Sequence, residues 1–244
     1  ASNGCTASSV VTLTVNVTLP FADAGNNVNL NCTTTSAMIG TAAVSGNTYS
    51  WSPSTGLSAD NIAQPIASPA STTTYTVTVT GSNGCTASDV VTVTIDTAIP
   101  TADAGIDATI TCTTPSMVIG TASVSGVTYS WSPATGLSAT NIAQPIASPS
   151  TTTTYTVTAT GSNGCTATSM VTITVDKTSP TVTAGANATL NCTTTSMQLG
   201  GAAAVGVTYS WSPATGLSAT NISNPIASPT TTTTYTVTAT ASNG

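Results

Sequence analysis

Apolar and polar residues alternate along short stretches of this chain. Residues 155–160 read YTVTAT, with an apolar side chain at every second position and Thr between them. A period of two is typical of a strand that buries one face. Residues 161–164 read GSNG and supply the Asn-Gly turn of a hairpin, and an apolar return strand covers 170–175. The pattern therefore predicts a β-hairpin over 155–175.

Shorter strands are predicted upstream of this hairpin. They cover 107–111, 116–122 and 125–131, and the Pro-broken stretch 141–149 adds one or two more. No segment has the 3.6-residue period of an amphipathic helix. About seven short strands separated by turns indicate an all-β chain, with antiparallel β-sandwiches of the immunoglobulin type. In such a sandwich the first and last strands run in the same direction.

The chain repeats itself every 80 residues without an insertion or deletion. Residues 85–164 and 165–244 share 55 identical positions of 80, including the run VTYSWSPATGLSATNI. This period predicts a tandem array of sandwiches. The predicted organisation is the last strand of a preceding repeat at 1–17, domains at 18–97 and 98–177, and a domain without its last strand at 178–244. The linkers IDTAIP and VDKTSP are short and end in Pro, so we expect a stiff, rod-like array.

Two aromatic positions in each repeat fit the core of a sandwich. Trp131 lies on the third predicted strand, where immunoglobulin-like folds bury a Trp, and Tyr155 opens the sixth, where a tyrosine corner is expected. The alternative is an exposed platform on which sugars stack. Both positions keep the phase of the apolar stripe, so we expect a core role. The residues concerned are Trp51, Trp131, Trp211, Tyr75, Tyr155 and Tyr235.

The two ends of the sequence indicate a longer array. Residues 1–4 and 241–244 both read ASNG, whereas the internal equivalents read GSNG, so we interpret the chain as three repeats cut from a larger set. The domain at 178–244 would leave a sheet edge open, and residues 5–17 have the sequence of the absent strand. We expect covalent continuation of the chain, with donation of the strand by the next subunit of a filament as the alternative.

Charged side chains are almost absent, which excludes several classes of function. They make up 3% of the residues, against roughly a quarter in an average domain. His, Glu and Arg are missing, Lys177 is the only base, all seven acids are Asp, and Thr supplies 58 residues. The usual side chains of acid–base and metal chemistry are lacking, so we expect no enzyme and no cofactor. One Lys cannot neutralise a nucleic-acid backbone, and no apolar run of about 18 residues would span a membrane.

Six cysteines without any His indicate disulfides rather than zinc, and hence an oxidising, extracellular setting. They are Cys5, Cys32, Cys85, Cys112, Cys165 and Cys192. Cys32 lies ~40 Å along an extended first strand, while Cys85 follows a turn at the opposite pole. A bridge needs Cα atoms within about 7 Å, which favours Cys32–Cys165 across a linker. The alternatives that stay open are Cys32–Cys85 with Cys112–Cys165, and sequence neighbours such as Cys85–Cys112.

The Asp residues recur only in part. One position holds Asp23, Asp103 and Thr183 in the successive repeats, and another holds Asn16, Asp96 and Asp176. Calcium between sandwiches would require several converging oxygens, and each linker offers one or two acids. Solvation is therefore the stronger interpretation of these acids, and calcium binding the weaker one.

The run WSPATGLSATNIAQPIASPSTTTTYTVTATGSNGCTA resembles the PKD-like and immunoglobulin-like repeats of giant Bacteroidota surface proteins. Those proteins include gliding-motility adhesins and other cargo of the type IX secretion system. The resemblance covers the whole chain and implies β-sandwiches strung into long extracellular stalks. It transfers no catalytic residue and identifies no ligand. Asp96-Thr97-Ala98 also fits the O-glycosylation signal of that group, which makes Thr97 a candidate for modification.

The leading functional hypothesis is structural. The chain would form the shaft of an extracellular adhesin or surface filament, contacting neighbouring repeats of the same protein, spanning distance and bearing load. A multivalent glycan-binding or cell-adhesion array is the alternative, although only Phe21 lacks an expected place in the core. A spacer within a secreted enzyme is the third hypothesis.

Overall fold

The structure, a computed structural model, describes residues 4–244, so the first three residues of the predicted strand at 1–17 lie outside it. Within this range the chain forms sixteen β-strands and no helix. The fold is all-β, with tandem immunoglobulin-like sandwiches, as the sequence predicts. Two compact units are present. The first holds the described residues up to Pro100 together with Thr160–Thr166, and the second holds Thr101–Ala159 with Ala167–Gly244. The domain limits at 17, 97 and 177 stay a prediction.

Six strands in two sheets form the first sandwich. They are Val28–Asn31 (β1), Ala37–Met38 (β2), Thr48–Ser52 (β3), Ile66–Ala67 (β4), Thr73–Thr80 (β5) and Thr86–Asp96 (β6). The larger sheet has the order β1-β6-β5-β3, and the smaller sheet pairs β2 with β4. The last strand, β6, therefore lies in the interior of the larger sheet.

The second sandwich repeats this arrangement. Its strands are Ala108–Ile110 (β7), Met117–Val118 (β8), Val127–Ser132 (β9), Ile146–Ala147 (β10), Thr153–Gly161 (β11) and Thr166–Val175 (β12). The larger sheet has the order β7-β12-β11-β9, and β8 pairs with β10. An identical strand order in two repeats follows from their nearly identical apolar pattern.

The first and last strands of each sandwich run in the same direction, which confirms the expectation from the sequence. β1 pairs with β6 in parallel, with Leu30 opposite Ile95. β7 pairs with β12 in the same way, with Ile110 opposite Val175. The hairpin of β5 and β6 is antiparallel. A four-stranded sheet with one parallel pair results.

The period-two pattern places the apolar stripe in the core. Tyr155, Val157 and Ala159 are buried, while the Thr residues between them are half-buried on the outer face. The burial of one large apolar side chain contributes about 1.5–3 kcal/mol. Each complete sandwich therefore derives much of its stability from these alternate positions.

The two aromatic positions are core residues with satisfied polar ends. The indole N–H of Trp131 donates to the carbonyl oxygen of Ile142 at 2.9 Å. The hydroxyl of Tyr155 donates to the carbonyl oxygen of Thr135 at 2.7 Å. Burial raises the pKa of the Tyr155 hydroxyl above its ordinary value, so the group remains a donor at neutral pH.

One predicted strand, 116–122, is much shorter in the structure. Only Met117–Val118 pairs, because the chain turns at Gly120, where φ is +80°. The N–H of Gly120 donates to the carbonyl oxygen of Ala104 at 2.9 Å instead of extending the ladder. The glycine therefore ends the strand by conformation and by a competing hydrogen bond.

The stretch 141–149 forms only the two-residue strand β10. Pro145 and Pro149 flank it, and neither has an N–H to donate to a ladder. Each complete sandwich consequently has six strands rather than about seven. Tyr155 lies on the fifth strand of its repeat and not at the start of a sixth, which corrects the expectation from the sequence.

The third repeat forms only four strands. They are Met197–Gln198 (β13), Val207–Ser212 (β14), Ile226–Ala227 (β15) and Thr236–Ala241 (β16). β14 pairs with β16, and β13 pairs with β15. Residues 188–190, the equivalents of β1 and β7, form no strand, and the described residues include no counterpart of β6 or β12 that could pair with them.

We predict that Gly120→Ala destabilises the protein more than Gly84→Ala. Both glycines have a φ of 80°, so each substitution carries a backbone cost of about 1–2 kcal/mol. A Cβ at Gly120 would also overlap the carbonyl oxygen of Ala143 and lie 2.9 Å from Cζ2 of Trp131, whereas nothing lies within 4 Å of a Cβ at Gly84. This overpacking adds about 1–3 kcal/mol. Thermal unfolding followed by circular dichroism measures the difference, and equal losses would contradict the prediction.

Candidate functional site

Cys32 and Cys165 form a disulfide, with their Cα atoms 5.0 Å apart. This is the pair that the sequence favours, and the alternatives that leave Cys32 or Cys165 with another partner do not form. Both residues lie in the first unit, where Cys32 follows β1 and Cys165 directly precedes β12. The bond spans 133 residues, which is longer than the 80-residue period. It therefore joins residues of different repeats.

The side chain of Asn163 holds the turn that leads into Cys165. Its Nδ2 group donates to Oδ1 of Asp96 at 2.9 Å and to the carbonyl oxygen of Ala98 at 2.9 Å. Its Oδ1 atom accepts the N–H of Cys165 at 3.1 Å. One side chain thus ties the linker before a sandwich to the turn inside it, and it orients the residue that carries the sulfur.

The same amide contact recurs at the other two turns. Nδ2 of Asn83 donates to the carbonyl oxygen of Thr18 at 2.9 Å and to Oδ1 of Asn16 at 3.2 Å. Nδ2 of Asn243 donates to Oδ1 of Asp176 at 2.9 Å. The linker position of Asn16, Asp96 and Asp176 therefore requires an oxygen acceptor rather than a charge. This requirement explains why one repeat has Asn there and the other two have Asp.

Two of the three turns lie against the end of a first strand. Gly164 borders Thr33, and Gly244 borders Thr113 in the same way, since at each place a Cβ would overlap the methyl group of the Thr. A Cβ at Gly84 would have no neighbour within 4 Å. The third turn thus repeats the local contact that accompanies the disulfide at the second.

The position that holds Asp in only two repeats caps a local turn. Its side-chain oxygen accepts the N–H of the glycine two residues later, at 2.8, 2.9 and 3.1 Å for Asp23, Asp103 and Thr183 respectively. A hydroxyl serves this role as well as a carboxylate does. The sequence contained this signal, since a position that alternates between Asp and Thr needs an acceptor and not a charge. Among residues 4–244, no three His, Cys, Asp or Glu side chains form a group that could hold a metal ion.

The remaining candidate residues differ in how far their side chains are buried. Five of the six core aromatics are buried, namely Trp51, Trp131, Trp211, Tyr75 and Tyr155. Tyr235 is only partly buried, although its hydroxyl still donates to the carbonyl oxygen of Thr215. Thr97 and Phe21 are exposed. Between residues 4 and 244, no helix is long and apolar enough to cross a bilayer.

No family model and no curated protein matches the sequence. Among solved structures, the chain is similar to Drosophila OTK extracellular domains 3–5, with 13% identity and a TM-score of 0.38 over 62% of this chain and 60% of that one. It is also similar to a protocadherin gammaB7 EC3-6 cis-dimer, with 13% identity and a TM-score of 0.36 over 86% and 64%. Sidekick-1 immunoglobulin domains 1–5 match with 11% identity and a TM-score of 0.34 over 91% and 56%. The chain spans less than two thirds of the length of each of these structures.

We predict that Asn163→Ala weakens the joint at the disulfide. The change removes the hydrogen bonds to Asp96 and Ala98 and leaves the Cys165 N–H without its acceptor, which should cost about 1–3 kcal/mol. Oxidative refolding should then yield less Cys32–Cys165 bond, as measured by non-reducing peptide mapping. The matched control is Ser162→Ala in the same turn, at an exposed side chain. Equal yields for the two variants would contradict the assigned role of Asn163.

We also predict an acid-sensitive contribution from Asp176. The hydrogen bond from the Asn243 side chain lowers the pKa of this carboxyl group, with a smaller effect from Thr178. Because the pKa is lower in the folded state, the ionised carboxylate stabilises the folded protein at pH values above the ordinary pKa of Asp. This stabilisation is lost as the pH falls through the pKa of the folded state. Unfolding by denaturant should therefore become easier below about pH 4, and Asp176→Asn should reduce that dependence. The control is Asp60→Asn, at an exposed side chain. This variant should keep the loss of stability below about pH 4 that is due to Asp176.

Proposed function

We propose that this chain is a structural segment of an extracellular adhesin or surface filament, which spans distance and carries load through joined sandwiches. The observation that carries the proposal is the Cys32–Cys165 disulfide, because its 133-residue span exceeds the 80-residue repeat. A bond within one repeat would stabilise a single sandwich. A bond from one repeat to another resists their separation under force.

Several features of the joint act together in this proposal. In the chain-entropy model, a bridge that closes more than 100 residues stabilises the fold by roughly 4–5 kcal/mol. The Asn163 side chain adds hydrogen bonds beside the bridge, each worth about 1 kcal/mol. Pro100 and Pro180 restrict the backbone of the linkers. Restricted linkers and a covalent bond suit a stiff shaft better than a flexible tether.

The chemistry of the chain supports an extracellular location. Disulfides persist in oxidising compartments and are rare in the cytosol. The series YSWSP, TTTTYTVT and NGCT resembles repeats of Bacteroidota surface proteins, and this resemblance supports the proposed role at a cell surface.

Single-molecule stretching between residues 4 and 244 tests the load-bearing role. With the disulfide intact, the enclosed residues should not extend when force is applied. Reduction, or Cys32→Ser, should add the contour length of 133 residues, about 45 nm at ~3.4 Å per residue. Cys192→Ser is the matched control and should leave the contour length unchanged. An unaltered length after reduction would overturn the load-bearing joint.

Immunogold labelling of intact cells of the producing organism tests the location. Antibodies against residues 98–177 should label thread-like material outside the cell, in the absence of permeabilisation. An antibody against a cytosolic protein serves as the control for cell integrity. Recovery of the protein only from the cytosol, with its cysteines reduced, would contradict the proposed function.

A further inference from the structure

The turn that leads into Cys165 contains an Asn-Gly pair, and the joint requires both residue types. The side chain of Asn163 donates to the linker through Nδ2 and accepts the N–H of Cys165 through Oδ1. Gly164 has a φ of +75°, a conformation that residues with a side chain rarely adopt. The same pair stands one repeat earlier, at residues 83–84. The geometry of the turn therefore selects an Asn-Gly sequence at the joint.

An Asn-Gly pair can lose ammonia without an enzyme. The backbone nitrogen of the glycine attacks Cγ of the Asn side chain, and glycine has no Cβ to hinder the approach. This nitrogen gives up its proton, the Cγ–Nδ2 bond breaks, and Nδ2 leaves as ammonia. Water then opens the cyclic imide at either carbonyl carbon, and the nitrogen regains a proton. The product is Asp or isoaspartate, and isoaspartate lengthens the backbone by a methylene group.

The folded turn restrains both reacting groups. The N–H of Gly164 donates to the carbonyl oxygen of Gly161 at 2.9 Å. The side-chain amide of Asn163 is fixed by its bonds to the linker and to the N–H of the next strand. A Cβ at Gly164 would overlap the methyl group of Thr33, so the turn lies directly against the residues that follow β1. The attack on Cγ therefore requires the turn to open.

The disulfide keeps this turn closed. Cys165 directly follows Gly164, is 2% exposed and is bonded to Cys32. Thr33, which Gly164 borders, directly follows Cys32. Opening of the turn would move Gly164 away from Thr33, and the covalent bond between their neighbours opposes this movement. The closed bond therefore lowers the population of the open turn from which deamidation proceeds.

Deamidation would turn the contact with the linker from attractive to repulsive. Nδ2 of Asn163 faces three oxygen atoms: Oδ1 and the carbonyl oxygen of Asp96, at 2.9 and 3.4 Å, and the carbonyl oxygen of Ala98, at 2.9 Å. After deamidation a carboxylate oxygen takes the place of Nδ2. Because an ionised carboxylate only accepts hydrogen bonds, these bonds are lost, and its negative charge lies beside that of Asp96.

We propose that Asn163 is a modification site at which spontaneous deamidation releases the joint, and that the Cys32–Cys165 bond controls this reaction. While the bond is closed, the amide persists. After the bond is reduced, the turn opens, Asn163 loses its amide, and the carboxylate that results hinders closure of the bond. Reduction of the joint thus becomes irreversible with time. This inference does not depend on the shaft role proposed above.

The redox steps that surround deamidation need a thiol and a disulfide from outside the protein. A dithiol such as dithiothreitol gives two electrons and two protons to the Cys32–Cys165 bond and becomes a cyclic disulfide. In the reverse direction, the two protein thiols give two electrons and two protons to oxidised glutathione, which leaves as two thiol molecules. Deamidation itself consumes water and changes no oxidation state.

Ageing of the full chain at mildly alkaline pH tests the control by the disulfide. The oxidised chain, the chain reduced by dithiothreitol and the Cys32→Ser variant are incubated in parallel, and peptide mapping by mass spectrometry follows Asn163. Conversion should be more than about tenfold faster in the reduced chain and in Cys32→Ser than in the oxidised chain. Cys192→Ser, at an exposed cysteine, is the matched control and should stay as slow as the oxidised chain. Equal rates in the oxidised and reduced chains, or an equal acceleration in Cys192→Ser, overturn the proposal.

The substitution Asn163→Asp imitates the product. In a glutathione redox buffer, the ratio of bonded to unbonded Cys32–Cys165 should fall by more than about tenfold. Ser162→Asp is the matched control, because it adds the same charge at an exposed position of the same turn, and it should form the bond like the unchanged chain. Equal losses in the two variants, or no loss in Asn163→Asp, overturn the proposal.

A second substitution separates the contact with Asp96 from a general loss of folding. Asp96→Asn, combined with Asn163→Asp, should recover part of the bond, because the amide introduced at position 96 can donate to the carboxylate introduced at position 163. The recovered fraction is measured by non-reducing peptide mapping in the same redox buffer. A double variant that forms no more bond than Asn163→Asp overturns the assigned repulsion.

Reoxidation of aged protein connects the two steps. Chain that has been reduced and aged until part of it is deamidated is returned to oxidised glutathione. Molecules that retain the Asn163 amide should form the Cys32–Cys165 bond again, and deamidated molecules should remain largely unbonded. Non-reducing peptide mapping distinguishes the two populations in one sample. Equal bond formation in both populations overturns the proposal.

Discussion

The last strand of each sandwich lies inside its larger sheet, and the remaining structure of the repeat depends on that position. β6 pairs with β1 on one edge and with β5 on the other, so it holds the first strand against the hairpin. Among the described residues of the third repeat there is no equivalent strand; residues 188–190 form no strand there, and Tyr235 is only partly buried. Loss of an edge strand would open one ladder only. Loss of an interior strand separates its two neighbours and exposes the core between them.

The same strand also takes part in the covalent bond to another repeat. β12 completes the second sandwich, while Cys165 at its head bonds Cys32. Asn163, two residues before Cys165, holds the linker through Asp96. One short segment therefore supplies core packing, the turn and the bridge. Because these roles share a strand, the register that buries the apolar stripe also places the sulfur.

Hydrogen-bond acceptors, rather than charges, connect distant parts of the backbone. Oδ1 of Asn27 accepts the N–H of Thr92, and Oδ1 of Asp107 accepts the N–H of Thr172 at the equivalent place. In the same way, the N–H of Ala24 donates to Oδ2 of Asp89, and the N–H of Ala104 donates to the hydroxyl oxygen of Ser169. A carboxylate, an amide and a hydroxyl each provide the oxygen that a backbone N–H requires. The chain therefore satisfies its backbone with 3% charged residues.

The sequence by itself determined the hairpin at 155–175, the buried face of YTVTAT and the 80-residue repeat, because period-two alternation and internal identity are properties of the chain alone. Combined with strand direction, it also favoured the Cys32–Cys165 bond. Only the tertiary structure decided that β8 ends before Gly120, that Tyr235 is left half-covered, and that Asn163 contacts Asp96. The strand end and the Asn163 contact depend on partners that are distant in the chain, such as Ala143 beside Gly120 and Asp96 beside Asn163, which is 67 residues away. No local pattern encodes such partners, since their distance is set by how the strands pack against one another.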